Sequence, residues 1–90
     1  MEAKKMFVII KNCNYDFNIE IKTIAVTDNM DKAKEVLQEE IVKEKEEQKV
    51  GSINYDTEDV TETSYAAYNE GYEATDGVRI FISEAEYKNS

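Results

Sequence analysis

The chain has 90 residues with 20 acidic and 11 basic side chains, a formal net charge of −9 and no histidine. This length predicts one domain, residues 1–90, with a modest core and no large cleft between domains. The negative charge disfavours direct binding to nucleic acid or to anionic membrane surfaces. Cys13 is the only cysteine, and the N-terminal apolar run is too short for a signal peptide or a membrane span. We therefore expect a soluble cytoplasmic protein without disulfides.

The N-terminal part predicts an antiparallel β-hairpin. Its first strand, Lys5–Lys11, contains the continuous apolar run MFVII, which is typical of a strand buried on both faces. A polar turn is predicted at Asn12–Asp16, followed by a second strand at Phe17–Val26. The apolar positions of this second strand change phase, which predicts a β-bulge near Lys22–Thr23.

A single long helix is predicted over Asn29–Lys49. Its apolar residues recur at helical spacing on one stripe that ends at Ile41, and Glu44 stands where the next apolar residue would be. Gly51 suits the C′ position after the helix. A helix of this length measures about 32 Å, whereas a seven-residue strand measures about 23 Å. We therefore expect Lys43–Lys49 to overhang the sheet and to face water on most sides.

The C-terminal half predicts a strand at Val78–Ser83 and favours another at Ser64–Asn69, where the tyrosine spacing also fits one turn of helix. Gly51–Thr63 gives only an irregular strand signal, and Glu84–Ser90 is expected to form a short helical turn or to fray. The resulting order, β-β-α-β-β, predicts an α+β fold. Its sheet is mostly antiparallel, and one long helix packs on one face.

The missing residue types exclude several kinds of chemistry. Without histidine there is no Ser-His-Asp triad, no Cys-His dyad and no zinc site. The three glycines are scattered, so no phosphate-binding loop exists. The segment 54–65 resembles a calcium loop only in part, because Asp59 replaces the required glycine and Tyr65 replaces the bidentate glutamate. The sequence therefore predicts a non-enzymatic protein with no cofactor and no metal.

Acidic residues are concentrated in the C-terminal part. Residues 1–50 hold 11 acids and 9 bases, whereas residues 51–90 hold 9 acids and 2 bases, with no base between Lys49 and Arg79. Such a one-sign field attracts a basic partner, and interleaved tyrosines suit the centre of an interface. The candidate partner-binding residues are Asp56, Glu58, Asp59, Glu62, Glu70 and Glu73, with Tyr55, Tyr65, Tyr68 and Tyr72.

A more specific hypothesis concerns the spacing of these acids. In a strand, residues two apart lie on one face about 6.7 Å apart. Asp56 and Glu58, continuing to Glu62, would then form a row of carboxylates that imitates successive backbone phosphates. Such a row would fit the nucleic-acid groove of a basic protein. The plain alternative is a solvated acidic surface that keeps a small protein soluble.

Three features of the chain resemble the small acidic α+β proteins of phages and mobile elements. These features are the hairpin, the helix entry DNMDKAKEVL and the ending SYAAYNEGYEATDGVRIFIS. Proteins of that kind include anti-CRISPR proteins and DNA mimics that inhibit host defence. The resemblance implies an inhibitor that occupies a basic DNA- or RNA-binding surface, such as that of a CRISPR effector.

A second hypothesis comes from a different functional class. A small homo-oligomer could hold an anionic or nucleotide ligand between protomers. Tyr65, Tyr68 or Tyr72 would stack on the ligand, and Arg79 would bind its anionic group. A structural accessory subunit with an exposed edge strand is a third interpretation.

Overall fold

The computed structural model describes residues 4–15, 18–69 and 76–87. They form β1 (Lys4–Tyr15), β2 (Asn18–Thr27), α1 (Met30–Val50), β3 (Thr57–Val60), β4 (Ser64–Tyr68) and β5 (Gly77–Tyr87). The strands build one antiparallel sheet in the order β2-β1-β5-β4-β3. The predicted element order and the α+β class are confirmed.

Helix α1 covers one face of this sheet. Its Ala33, Leu37 and Ile41 are buried in a single core cluster. The buried residues that the sheet contributes to the cluster are Phe7, Ile9, Tyr65, Ala67, Val78 and Ile80. Because side chains alternate along a strand, the intervening residues lie on the opposite face, which we call the open face.

Strand β1 is longer than predicted. It continues to Tyr15, so the turn predicted at Asn12–Asp16 is wrong for residues 12–15. Asn12, for example, pairs with Ile21 of β2 on one side and with Arg79 of β5 on the other. Backbone hydrogen bonds to two neighbouring strands keep this polar stretch extended, despite the turn preference of its side chains. Residues 16 and 17, including the predicted start of the second strand, lie outside the described residues.

The predicted β-bulge in β2 is confirmed slightly further along the strand. Ile9 pairs with Ala25 and Ile10 with Thr23, which leaves Ile24 as the extra residue. Ile24 and Ala25 both pack against the core. The bulge thereby changes the phase of the strand, and the isoleucines that precede it lie on the open face.

Helix α1 begins and ends close to the predicted residues. Asn29 is the N-cap, and its Oδ1 accepts a hydrogen bond from the Lys32 N–H at 3.1 Å. At the other end Gly51 has φ −80°, and Ser52 takes the left-handed conformation at φ 55°. The Ser52 and Ile53 N–H groups donate to carbonyls of the last turn, as in a Schellman motif. The left-handed residue is therefore the serine and not the predicted glycine.

The C-terminal half of α1 lies over the sheet. Glu44 is only 7% exposed and faces Lys11 of β1. The predicted overhang of Lys43–Lys49 is wrong because β1 and β5 have 12 and 11 residues. At about 3.4 Å per residue, strands of that length extend roughly as far as the helix or further.

The C-terminal strands are those predicted, with different ends. The strand Ser64–Tyr68 is confirmed, and Thr57–Val60 forms a short edge strand within the irregular segment. β5 extends beyond the predicted Val78–Ser83 in both directions. Residues 84–87 therefore continue a strand and do not form a helical turn. Residues 88–90 lie outside the described residues.

Candidate functional site

The predicted acidic residues that the structure describes gather around β3, an edge strand of the sheet. We call Asp56, Glu58, Asp59 and Glu62 the acidic edge. Glu58 lies opposite Ala67 on the helix side, whereas Asp59 lies on the open face. Glu62 lies in the turn between β3 and β4. The four carboxylates share one edge, but the single row predicted from Asp56 through Glu62 does not form, because the strand ends at Val60.

Helix lysines provide counter-charges for part of the acidic edge. Lys45 Nζ lies 3.7 Å from Glu58 Oε1, and Lys34 Nζ lies 3.6 Å from Glu62 Oε2. The Glu62 side chain remains 87% exposed. Exposed ion pairs of this kind contribute about 0–1 kcal/mol, so they do not prevent these acids from binding a partner. These ion pairs could not be predicted from the base-free stretch between Lys49 and Arg79, because Lys34 and Lys45 belong to helix α1.

Local hydrogen bonds hold the two aspartates of the acidic edge. The Asp56 N–H donates to Asn69 Oδ1 at 3.1 Å, and Asp56 Oδ1 accepts from the Thr57 hydroxyl at 2.9 Å. Asp59 Oδ2 accepts from the Tyr68 hydroxyl at 3.0 Å. These bonds connect β3 to β4 and limit the motion of both carboxylates.

The predicted tyrosine anchors occupy different environments. Tyr65 is 0% exposed and belongs to the core, so its predicted role as a surface anchor is wrong. The alternation of β4 directs Tyr65 and Ala67 toward the helix, and this burial accounts for their sequence pattern. Tyr55 is half-buried against the core, and Tyr68 is half-buried on the open face. The remaining candidates lie outside the described residues: Glu70, Tyr72 and Glu73.

A polar network connects the sheet to the second half of α1. Lys11 Nζ lies 2.7 Å from Glu44 Oε2, and Glu44 Oε1 accepts from Gln48 Nε2 at 3.3 Å. The same Gln48 amide lies 3.4 Å from the Tyr65 hydroxyl, which donates to Glu58 Oε2 at 3.3 Å. The sequence showed Glu44 on the apolar stripe of the helix but not its partner. Lys11 was predicted as the last residue of a strand, whereas β1 continues to Tyr15 and Lys11 lies within it.

Burial and charge shift the pKa values within this network. Burial alone would lower the pKa of Lys11, but the hydrogen bond and the negative charge of Glu44 raise it above its usual value. Burial raises the pKa of the Tyr65 hydroxyl. Both groups therefore keep their protons at neutral pH and remain hydrogen-bond donors.

Cys13 lies on the helix side of β1 and is partly buried. Burial raises the pKa of its thiol, which disfavours the reactive thiolate. It lines a cavity of about 320 Å³ with two lysines and three glutamates: Lys11, Lys22, Glu20, Glu40 and Glu47. These mixed charges do not indicate one class of ligand.

The described part of the chain has neither a metal-binding cluster nor a membrane-spanning helix. Within residues 4–15, 18–69 and 76–87, no group of three or more histidine, cysteine or acidic side chains is placed to hold a metal ion. No helix in these ranges is both long and apolar enough to cross a membrane.

The open face of β2, β1 and β5 carries a group of uncovered apolar side chains. We call these residues the open patch: Met6, Val8, Ile10, Ile19, Ile21, Val26 and Phe81. Ile19 and Ile21 are 68% and 67% exposed, and Val26 is 55% exposed. Sequence reasoning missed this patch because the apolar run in β1 predicted a strand covered on both sides.

A polar recess adjoins the open patch. Its volume is about 280 Å³, and its polar lining consists of Asn12, Asn14, Tyr68, Asn69, Asp76 and Arg79. Gly77 allows β4 and β5 to approach here, since a Cβ atom at that position would lie 2.9 Å from the Cβ of Tyr68. Arg79 is exposed and forms no ion pair with any residue that the structure describes.

No family model matches the chain, and neither the curated proteins nor the solved structures gave a match.

Proposed function

We propose that this chain is a non-enzymatic inhibitor that binds a basic nucleic-acid-binding surface of another protein through the acidic edge. The observation that supports this most directly is the gathering of Asp56, Glu58, Asp59 and Glu62 on one exposed sheet edge. The chain has no base between Lys49 and Arg79, and helix lysines form ion pairs with Glu58 and Glu62.

The shape of the acidic edge favours a folded basic groove over a flat basic surface. Glu58 and Asp59 point to opposite sides of an edge strand, so a groove that receives the strand would meet carboxylates on both walls. A groove that binds nucleic acid presents lysines and arginines on both walls, because phosphates lie on both sides of the bound strand. Nucleic-acid-binding proteins of host defence are the partner class that the resemblance implies. Such a partner lies in the cytoplasm, where Cys13 would stay reduced.

We expect reversal of charge on the acidic edge to weaken partner binding at least tenfold. The variant is Asp56→Lys with Glu62→Lys, which leaves the Glu58 contact with Tyr65 intact. Its matched control is Glu39→Lys with Glu46→Lys on the exposed side of α1. Each reversal adds two charges, so both double variants change the net charge from −9 to −5.

The measurement is capture of bacterial lysate proteins on the immobilised chain. Duplex DNA is used as the eluent at constant salt, followed by a salt gradient. The proposal expects DNA to release a nucleic-acid-binding protein that the acidic-edge variant retains poorly and the control retains well. Equal losses in both variants, or retention that DNA does not affect, would show that the acidic edge is not the binding surface.

The Arg79 recess favours a second candidate function, the binding of a small anion or nucleotide. The recess places Arg79, which has no ion pair to any described residue, beside three asparagines, Tyr68 and the carboxylate of Asp76. The guanidinium can bind a phosphate group and the amides can hydrogen-bond a polar ring, whereas Asp76 opposes an anion. A recess of about 280 Å³ is close to the lower size limit of small-molecule sites.

Isothermal titration with AMP and with inorganic phosphate tests the second function. We expect binding that Arg79→Gln weakens at least tenfold, because the exposed guanidinium would supply the bidentate contact. Arg79→Lys is the matched control, since it keeps the charge and loses the planar fork. No binding at millimolar concentration, or binding that Arg79→Gln does not change, would exclude this function for the recess.

A further inference from the structure

The open patch differs in charge from the rest of the molecule. On the open face of β2, β1 and β5, Arg79 is the only charged residue among those whose side chains the structure describes. The helix side of the same strands carries Lys5, Lys11, Glu20, Lys22 and Glu84. In a chain with 34% charged residues, a nearly uncharged sheet face requires an explanation other than solubility.

The sequence of β1 indicates that other protein layers pack on both of its faces in the functional state. The run Met6–Ile10 is apolar at every position, which is typical of strands between two layers. In the described chain α1 covers Phe7 and Ile9, whereas Val8 and Ile10 have no helix above them. No element within residues 4–15, 18–69 and 76–87 supplies an apolar layer on the open side.

The size of the patch is sufficient for association. Three strands about 4.8 Å apart and some 11 residues long give a strip of roughly 14 by 37 Å, about 500 Å² in projection. The strip also includes polar residues such as Asn12 and Arg79. Two such strips would together bury about 1,000 Å², which is close to the lower limit for a specific interface. The molecule is also thin, with principal extents of 48, 23 and 18 Å. Its Cα radius of gyration is 14.9 Å, whereas about 12 Å is expected for a compact domain of 90 residues.

The charge distribution identifies the occupant. A basic partner would be attracted to the acidic edge and not to a face on which Arg79 is the one charged side chain that the structure describes. A second copy of the chain offers an apolar sheet of the same dimensions, and two twisted sheets pack well face to face. In that arrangement the two helices lie on the outside, roughly 30 Å apart at about 10 Å per layer. At physiological salt this distance exceeds three Debye lengths, so the charges on the two helices repel one another little.

We propose that two copies of this chain form a dimer in which their open patches pack face to face, with β1 of each copy near the centre. The dimer has four layers, helix, sheet, sheet and helix. Both acidic edges remain accessible, so the dimer would present two of them to a partner. This proposal does not depend on the function of the acidic edge.

Sedimentation equilibrium of the purified chain between about 5 and 500 µM tests the dimer. The expected mass is twice the 10.4 kDa of one chain. The association should persist at 1 M NaCl, since apolar burial is not screened by salt. A mass of one chain throughout this range would overturn the proposal, even if another protein were found on the open patch.

Matched variants locate the interface. Val26→Lys changes the open patch, and Val42→Lys changes the outer side of α1. The two valines are equally exposed, at 55% for Val26 and 56% for Val42. We expect Val26→Lys to weaken the dimer at least tenfold, Ile21→Lys to do the same, and Val42→Lys to leave it unchanged. Circular dichroism of each variant controls for folding. A dimer that survives both patch variants would show that the face-to-face arrangement is wrong and that another surface, such as a sheet edge, forms the interface.

Discussion

Tyr65→Ala is expected to lower the free energy of unfolding by about 3–5 kcal/mol, the usual cost of removing a large aromatic side chain from a core. Tyr65 is 0% exposed and is among the largest fully buried side chains of the molecule. Its ring lies in the core with Leu37 and Ile80, and Lys45 Nζ lies 5.6 Å from the ring centroid. A domain of 90 residues has roughly 5–13 kcal/mol of stability, so this one change removes a large part of it. Urea denaturation followed by circular dichroism measures the loss.

Two further variants separate the contribution of the ring from that of its hydroxyl. Tyr65→Phe keeps the ring and should cost only about 1 kcal/mol, because Gln48 and Glu58 lose one shared hydrogen-bond partner. Tyr68→Ala, at the half-buried neighbour on the open face, should cost less than Tyr65→Ala. If Tyr65→Ala changes stability by less than 1 kcal/mol, Tyr65 is not a core residue, and its role as a surface anchor must be reconsidered.

Lys11→Met is expected to destabilise the protein by about 3 kcal/mol at pH 7. The Lys11 side chain is 14% exposed and lies 2.7 Å from Glu44, with Glu40 and Glu47 each 3.8 Å away. Removing the cation leaves a buried glutamate beside two other carboxylates, and an uncompensated buried charge costs about 3–5 kcal/mol. We place the effect at the lower end because Gln48 still donates to Glu44. Urea denaturation at pH 7 measures it.

The double variant Lys11→Met with Glu44→Leu is the control for this prediction. Replacing both partners of a buried pair by apolar residues of similar size is often neutral or stabilising. We expect the double variant to recover most of the stability that Lys11→Met loses. If the double variant is as unstable as the single one, the loss comes from packing of the lysine stem and not from the unpaired charge.

The spacing of apolar residues predicted the helix and most of the strands, because the periodicity of each element is visible within its own segment of sequence. The alternation of Val78, Ile80 and Ile82 and the phase change in β2 both correspond to observed structure. The ends of strands were harder to predict. Asn12 favours a turn by itself, but β2 and β5 on its two sides hold it in a strand. Nothing in the sequence around Asn12 indicates that β1 pairs with a strand on each side.

The candidate site was predicted only as a region. The sequence shows that acids are concentrated after residue 50, and the structure places those that it describes on one edge. Burial of Tyr65 and the ion pairs that Lys34 and Lys45 form depend on which elements pack together. Sheet order and helix placement decide these contacts, and the sequence pattern of this chain left both open.

The position of β5 has a consequence for how the chain acquires its fold. Although β5 follows all the other elements in sequence, it lies in the middle of the sheet between β1 and β4. Its pairing with β1 joins residues such as Lys4 and Tyr87, so a loop of most of the chain must close first. During synthesis, the hairpin and helix leave the ribosome with a free edge on β1 that only β5 fills. Until then that edge is open to aggregation, so a chain stopped before residue 77 should be insoluble although most of its elements are present.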